Sequence, residues 1–302
     1  LAKKSRSWPP AGERLPLQVM DNHTHLPVHE GEIPRVDGVR LPLEEQLTRA
    51  EQVNVTSLIS VGCEILDWEP TLGLAATYPQ VRVALAIHPN EAALHAGFVD
   101  KSPDGYTHET EEHHIPLIDA LGRLSQLVSD PAVVAVGETG LDYFRTAGPG
   151  REAQRESFSA HLEIAAVHGL PVQVHDREAH ADCIRVLKED AWPGQAVVFH
   201  SYSGDAAMAR ELAENGWYAS FSGMLTYPAN DSLRMAFLEM PRELVLVETD
   251  APYLTPVPYR GNPNASYTMP YTVRFMAELW DASVEEACQI LMTNSRRIYG
   301  QW

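Results

Sequence analysis

Cysteine is scarce in this chain. Cys63, Cys183 and Cys288 are the only three in 302 residues. They are scattered, odd in number and form no CxxC pair, so no disulfide framework can be built, which points to a reducing compartment. Positive charge is short as well: 23 Lys and Arg face 41 Asp and Glu, a net charge of −18. A protein that coats duplex DNA by bulk attraction needs the opposite sign, although net charge says little about a single cleft. No apolar run reaches the ~18 residues of a membrane span. The opening LAKKSRSWPP has no apolar signal core, and the sequence reads as cytoplasmic. It starts on Leu1 rather than Met, so the natural start is expected further upstream. No Gly-rich phosphate turn follows an early strand, which argues against an open dinucleotide-binding sheet, and no internal repeat is present.

What remains is an ordinary globular composition, 44% apolar and 21% charged, which excludes bulk disorder. The length accommodates one α/β barrel of about 250 residues with additions. Residues 1–17 are polar and Pro-bearing and read as an N-terminal arm, leaving 18–302 as a single domain. Eight apolar, β-rich runs predict strands at 18–25, 56–62, 82–88, 133–138, 171–175, 196–200, 218–222 and 244–250. Helical spacing appears between them at 43–53, 117–128, 154–168, 205–215, 272–280 and 284–292. The strand runs are apolar throughout, as in strands covered on both faces. The pattern predicts a (β/α)8 TIM barrel with its active site at the carboxyl ends of the strands. One segment, 92–114, breaks the rhythm with His95, His108, His113 and His114. It is expected to be a surface excursion or lid, and its histidines, lacking a repeated ligand spacing, read as part of a solvated acidic loop.

The chemistry-bearing residues fall at strand ends. His23 and His25 lie two apart on the first strand and so share a face. Glu138, His175, His200 and Asp250 close later apolar runs. Each alone has a structural explanation, such as a core histidine, a rim carboxylate or a turn residue, but five strand ends all carrying ligand types point to a metal site. Four imidazoles and two carboxylates exceed the needs of one tetrahedral ion. They suit two divalent ions sharing a carboxylate, about 3.5–4 Å apart, which can clamp both oxygens of a displacement. Imidazole-rich ligation favours zinc, manganese, iron or nickel over magnesium.

With these residues the chain resembles the TatD family of metal-dependent deoxyribonucleases, in the amidohydrolase-like superfamily. The matching segments are DNHTHL at 21–26, AIHPNE at 86–91, VGETGLDY at 136–143, VQVHDREA at 172–179, HSYSGD at 200–205 and VETDAPYLTPVPYRG at 247–261. The resemblance implies that His23, His25 and Asp250 hold one ion together with Glu138, which bridges to a second ion held by His175 and His200. It also implies that Asp250 is the general base and that Glu138 replaces the carbamylated lysine of other members of the superfamily. The implied activity is metal-dependent 3′→5′ exonuclease cleavage of DNA. The chain departs from the family at Pro27, where Asp is frequent. It departs again at 260–266, where Arg260-Gly261-Asn262-Pro263-Asn264-Ala265-Ser266 lacks a basic residue and a Glu-Pro pair.

Five residues are candidates for substrate binding. His88 suits a phosphate or the attacking water, Arg177 and Arg260 suit phosphate oxygens, and Tyr202 suits a base, as does Tyr253. Cys63, with no base near it in sequence, reads as a small buried residue rather than a nucleophile. The expected partner is the end of a single DNA strand, and the expected state is a monomer free of membranes. The alternatives are a metal hydrolase of an ester or amide, such as an aminoacyl-tRNA or a small metabolite, and a non-catalytic binding barrel.

Overall fold

The computed structural model describes residues 6–99 and 101–302; residues 1–5 of the expected arm lie outside them. Eight strands form one sheet in chain order: β1 (Val19–Thr24), β4 (Val55–Gly62), β5 (Val81–Leu85), β6 (Val133–Asp142), β7 (Val172–Arg177), β8 (Val197–Phe199), β9 (Tyr218–Phe221) and β10 (Val245–Val247). A small antiparallel hairpin, β2 (Arg35–Val36) with β3 (Val39–Arg40), stands apart. With helices between the strands this is an α/β barrel of eight parallel strands, as the sequence predicts. The described residues fall into two compact units. One ends its first segment at Ser60 and adds Tyr78–Val81 and Gly204–Trp302; the other holds Val61–Thr77 and Arg82–Ser203.

In the first unit, β1 is buried along its whole length and pairs with β4, Val19 beside Val55. β10 pairs with β9, Val245 beside Ala219. Residues 9–15 pack onto this unit: Leu15 is buried, and Tyr267 Oη donates to the Pro9 carbonyl at 2.9 Å. In the second unit, β6 is the longest strand and continues four residues past 138 because β7 continues beside it. Gly140 opposite His175 makes that pairing feasible. Its φ is 138°, and a Cβ there would lie 2.1 Å from the His175 carbonyl oxygen, so only glycine fits.

The helices are α1 (Leu43–Gln52), α2 (Ile65–Thr77), α3 (Pro89–His95), α4 (Leu117–Leu127), α5 (Gly150–His168), α6 (His180–Asp190), α7 (Ala206–Glu214), α8 (Asp231–Glu239), α9 (Met269–Leu279) and α10 (Val284–Tyr299). Their ends follow local chemistry. Asp205 caps α7 by accepting from the amides of Ala207 and Met208, and Ser283 caps α10 by accepting from Glu286. α5 ends at Gly169, left-handed at φ 65°, with Leu170 N–H bonded back to Ala165.

Four helices have no counterpart in the sequence expectation. α2 contains Pro70 and buries little but Trp68 and Thr71, so it carries almost no apolar stripe. α3 has only seven residues, while α6 and α8 are short amphipathic turns of chain. Among the described residues, no helix is long and apolar enough to cross a membrane.

Candidate metal centre

In the first unit, Asp21 fastens β1 to the chain leaving β10. Its carboxylate accepts from Thr249 N at 2.9 Å and from Thr249 Oγ1 at 2.6 Å, and burial pushes this carboxyl up to about 6. The two segments are laced further by Asp250 N–H to the His23 carbonyl (3.0 Å) and His25 N–H to the Ala251 carbonyl (2.7 Å). Asp250, left-handed at φ 51°, thereby turns its carboxylate to the imidazoles. Asp250 Oδ1 lies 3.4 Å from His25 Nε2 and 3.9 Å from His23 Nε2. The two rings meet edge to face, with centroids 5.2 Å apart. His23, His25 and Asp250 each offer a donor atom within 4.8 Å of the others.

In the second unit, Glu138 Oε2 lies 2.9 Å from His175 Nδ1 and 2.6 Å from His200 Nε2. Its other oxygen accepts from the Cys63 thiol at 3.3 Å. The outer nitrogen of His175, Nε2, is 3.3 Å from Asp142 Oδ2, and the His88 ring packs against His175 with centroids 4.5 Å apart. His88, Asp142 and His175 also place donor atoms within 4.8 Å of one another.

The electrostatics of this cluster are compatible with a bound cation. Burial alone would lower His175, but Asp142 and Glu138 outweigh it and hold the imidazole at about 9. Burial would raise Glu138 and Asp142, but the histidines prevail. His200 and His175 keep Glu138 well below the carboxylate range, and His175 keeps Asp142 at about 2. His88 is driven down to about 3 by burial and by His175. Without a bound cation, the two carboxylates draw a proton onto His175; a divalent ion at these donors would supply positive charge in its place. The oxygen and imidazole donors suit zinc-like ions.

The comparisons with known proteins agree. The model of the TatD-related DNase family matches residues 20–300. The chain belongs to this family. It is 37% identical over 289 residues to the metal-dependent hydrolase TatD of Mycobacterium tuberculosis, covering 93% of this chain and 98% of the relative. It is 28% identical to YabD of Bacillus subtilis, covering 93% and 98%. The crystal structure of the TatD homologue YjjV from Escherichia coli superposes with a TM-score of 0.76 at 27% identity, over 94% of this chain and 98% of that one. The fold alone is shared with a TatD-family hydrolase of Entamoeba histolytica, at TM-score 0.76 and 18% identity, over 95% and 99%. This TatD-family chain is a metal-dependent hydrolase.

The TatD-family site differs in detail from the sequence expectation. Glu138 lies inside β6 rather than at its end. His175 is within β7, His200 follows β8, and Asp250 stands three residues beyond β10. His88 lies outside β5 as the cap of α3, where its Nδ1 accepts from Asn90 N at 3.1 Å. Arg177 is exposed at the end of β7, its guanidinium 3.9 Å from the Phe144 ring centroid. Arg260 is exposed and lies 4.3 Å over Tyr227. Tyr202 is 2% exposed, too buried to stack on a base, whereas Tyr253 is 63% exposed.

Sequence reasoning missed Asp142 and Asp21, and missed the hydrogen bond from Cys63. Burial and Glu138 push the Cys63 thiol up, which keeps it a donor rather than a nucleophile. The available signals were the Asp of GETGLD and the Asp two before His23.

Proposed function

We propose that this TatD-family hydrolase is a 3′→5′ exodeoxyribonuclease acting on single-stranded DNA, with one two-cation centre in a single barrel domain spanning 18–302. The observations that support the reading are the meeting of donor atoms from His23, His25 and Asp250 within 4.8 Å of one another and of Glu138 with His175 and His200 at 2.9 and 2.6 Å, at or near the carboxyl ends of their strands. In an α/β barrel those ends share one face.

His23, His25 and Asp250 would hold one divalent cation, His175 and His200 would hold the other, and Glu138 would serve both. Bound there, the cations supply a nucleophile at neutral pH and neutralise charge on the phosphate. Asp250 takes the proton of the attacking water. Glu138 stays ionised because its histidine neighbours hold it so. Arg177 and Arg260 contact phosphate oxygens, Tyr253 stacks on a base, and His88, neutral through burial, donates to the substrate. Action at chain ends is compatible with a net charge of −18, since no track along a duplex is needed. The protein works as a cytoplasmic monomer.

The test is digestion of 3′- and 5′-labelled single-stranded DNA by protein stripped of metal and reloaded with Mg²⁺, Mn²⁺ or Zn²⁺. Stepwise loss from the 3′ end is expected. Asp250→Asn is expected to lower the rate by at least about 10²-fold, as for loss of a general base. Cleavage from the 5′ end, or none by protein carrying two ions, overturns the reading; the second result directs attention to ester and amide substrates.

A further inference from the structure

The excursion after α3 does not leave its histidines in solvent. His113 and His114, in the turn before α4, fold back onto Glu64, just after β4, and Glu91, on α3. Their side chains are 11% and 3% exposed. His114 Nε2 lies 2.8 Å from Glu91 Oε2. The His113 ring sits 4.0 Å from that of His114. Glu91, His113 and His114 each bring a donor atom within 4.8 Å of the other two. None of the three belongs to the clusters assigned above to hydrolysis.

We propose that Glu91, His113 and His114 form a separate zinc site that pins the excursion to the body of its unit. Two observations favour a cation over plain histidine–carboxylate pairing. His113 Nε2 is buried without a hydrogen bond, although Glu64 Oε2 stands 3.1 Å away. Negative charge is also crowded here: Glu91, Asp67 and Glu111 all repel Glu64. Two imidazoles and one carboxylate are a zinc-type donor set. Capture at His114 Nε2 moves that nitrogen's proton to Nδ1, which now accepts from the Glu111 amide at 2.7 Å. The Glu111 amide therefore releases that contact when zinc binds.

The test counts zinc. Wild-type protein, His113→Ala/His114→Ala and Glu91→Gln are stripped, reloaded with Zn²⁺ alone and desalted, and zinc per chain is measured. Each variant is expected to hold one ion fewer than wild type. Crystals of the wild type are expected to show an anomalous peak at the zinc edge bounded by Glu91, His113 and His114. Amide exchange at Glu111 is expected to change on loading. Equal zinc content in wild type and the folded variants, with no anomalous peak at these residues, overturns the proposal. If the double variant does not fold, Glu91→Gln decides, since it keeps the side-chain shape. The readout is a difference in zinc content, so it is independent of whether the protein cleaves DNA.

Discussion

His175 has a carboxylate at each ring nitrogen, Glu138 at Nδ1 and Asp142 at Nε2. Such pairing sets both the orientation and the basicity of a ligand, and its loss typically costs 10–100-fold in metal affinity or activity. Asp142→Asn removes the charge that, with Glu138, lifts His175 against its burial. The affinity of the chain for zinc is expected to drop by about 10–100-fold in a competition titration, while the circular dichroism spectrum stays that of the wild type. An unchanged affinity would make Asp142 a strand-end residue with no part in metal binding. Its role was hidden in the sequence because the apolar run stops at Val136 and the donor at Glu138 looks like the strand's end. Only the paired continuation of β6 along β7 brings Asp142 level with Arg177 and within reach of His175.

At the scale of elements, α5 supports the chain that leads into His88. His161, fully buried on α5, accepts from Ile87 N–H at 2.9 Å and donates through Nδ1 to the Ser157 carbonyl at 2.6 Å. Burial drives its pKa from 6.5 down to about 4. The unfolded chain therefore binds more protons than the folded one between these values, and stability rises with pH across that window. Acidification from pH 7.5 to 4.5 is expected to remove about 2–3 kcal/mol through this residue. Urea unfolding at the two pH values measures the loss, and His161→Gln is expected to flatten that part of the dependence. An equally steep profile in the variant would assign the loss elsewhere.

The eight barrel strands were legible because each is a short apolar run, whereas the hairpin β2–β3, two residues a strand, was not. The helices α1, α4, α5, α7, α9 and α10 were legible from their stripes and caps. α2 was not, because Pro70 interrupts it and tertiary packing of Trp68, whose Nε1 donates to the Ala86 carbonyl at 2.9 Å, holds it in place.

For the whole molecule, cations that bind the folded chain and not the unfolded one add stability by mass action, about 2.7 kcal/mol for a site at a hundredfold excess over its Kd. Chelation is expected to lower Tm by several degrees, on the scale of about 2–4 °C per kcal/mol for a chain of this size class. Zinc is expected to restore it. Asp250→Asn is expected to show a smaller shift than wild type. A Tm indifferent to chelator would deny that the donors hold ions.

The sequence by itself determined the barrel and the family, and singled out six candidate donors near strand ends. All of these are local signals: an apolar run, the residue that closes it, a spacing of two along a strand. Tertiary structure decided which side chains meet. It set Asp142 against His175, buried Tyr202, left Arg177 and Tyr253 exposed, and folded His113 and His114 onto Glu64 and Glu91. Those outcomes depend on strand register and on the return path of a long excursion, and contacts between residues tens of positions apart leave no periodic mark on a single chain.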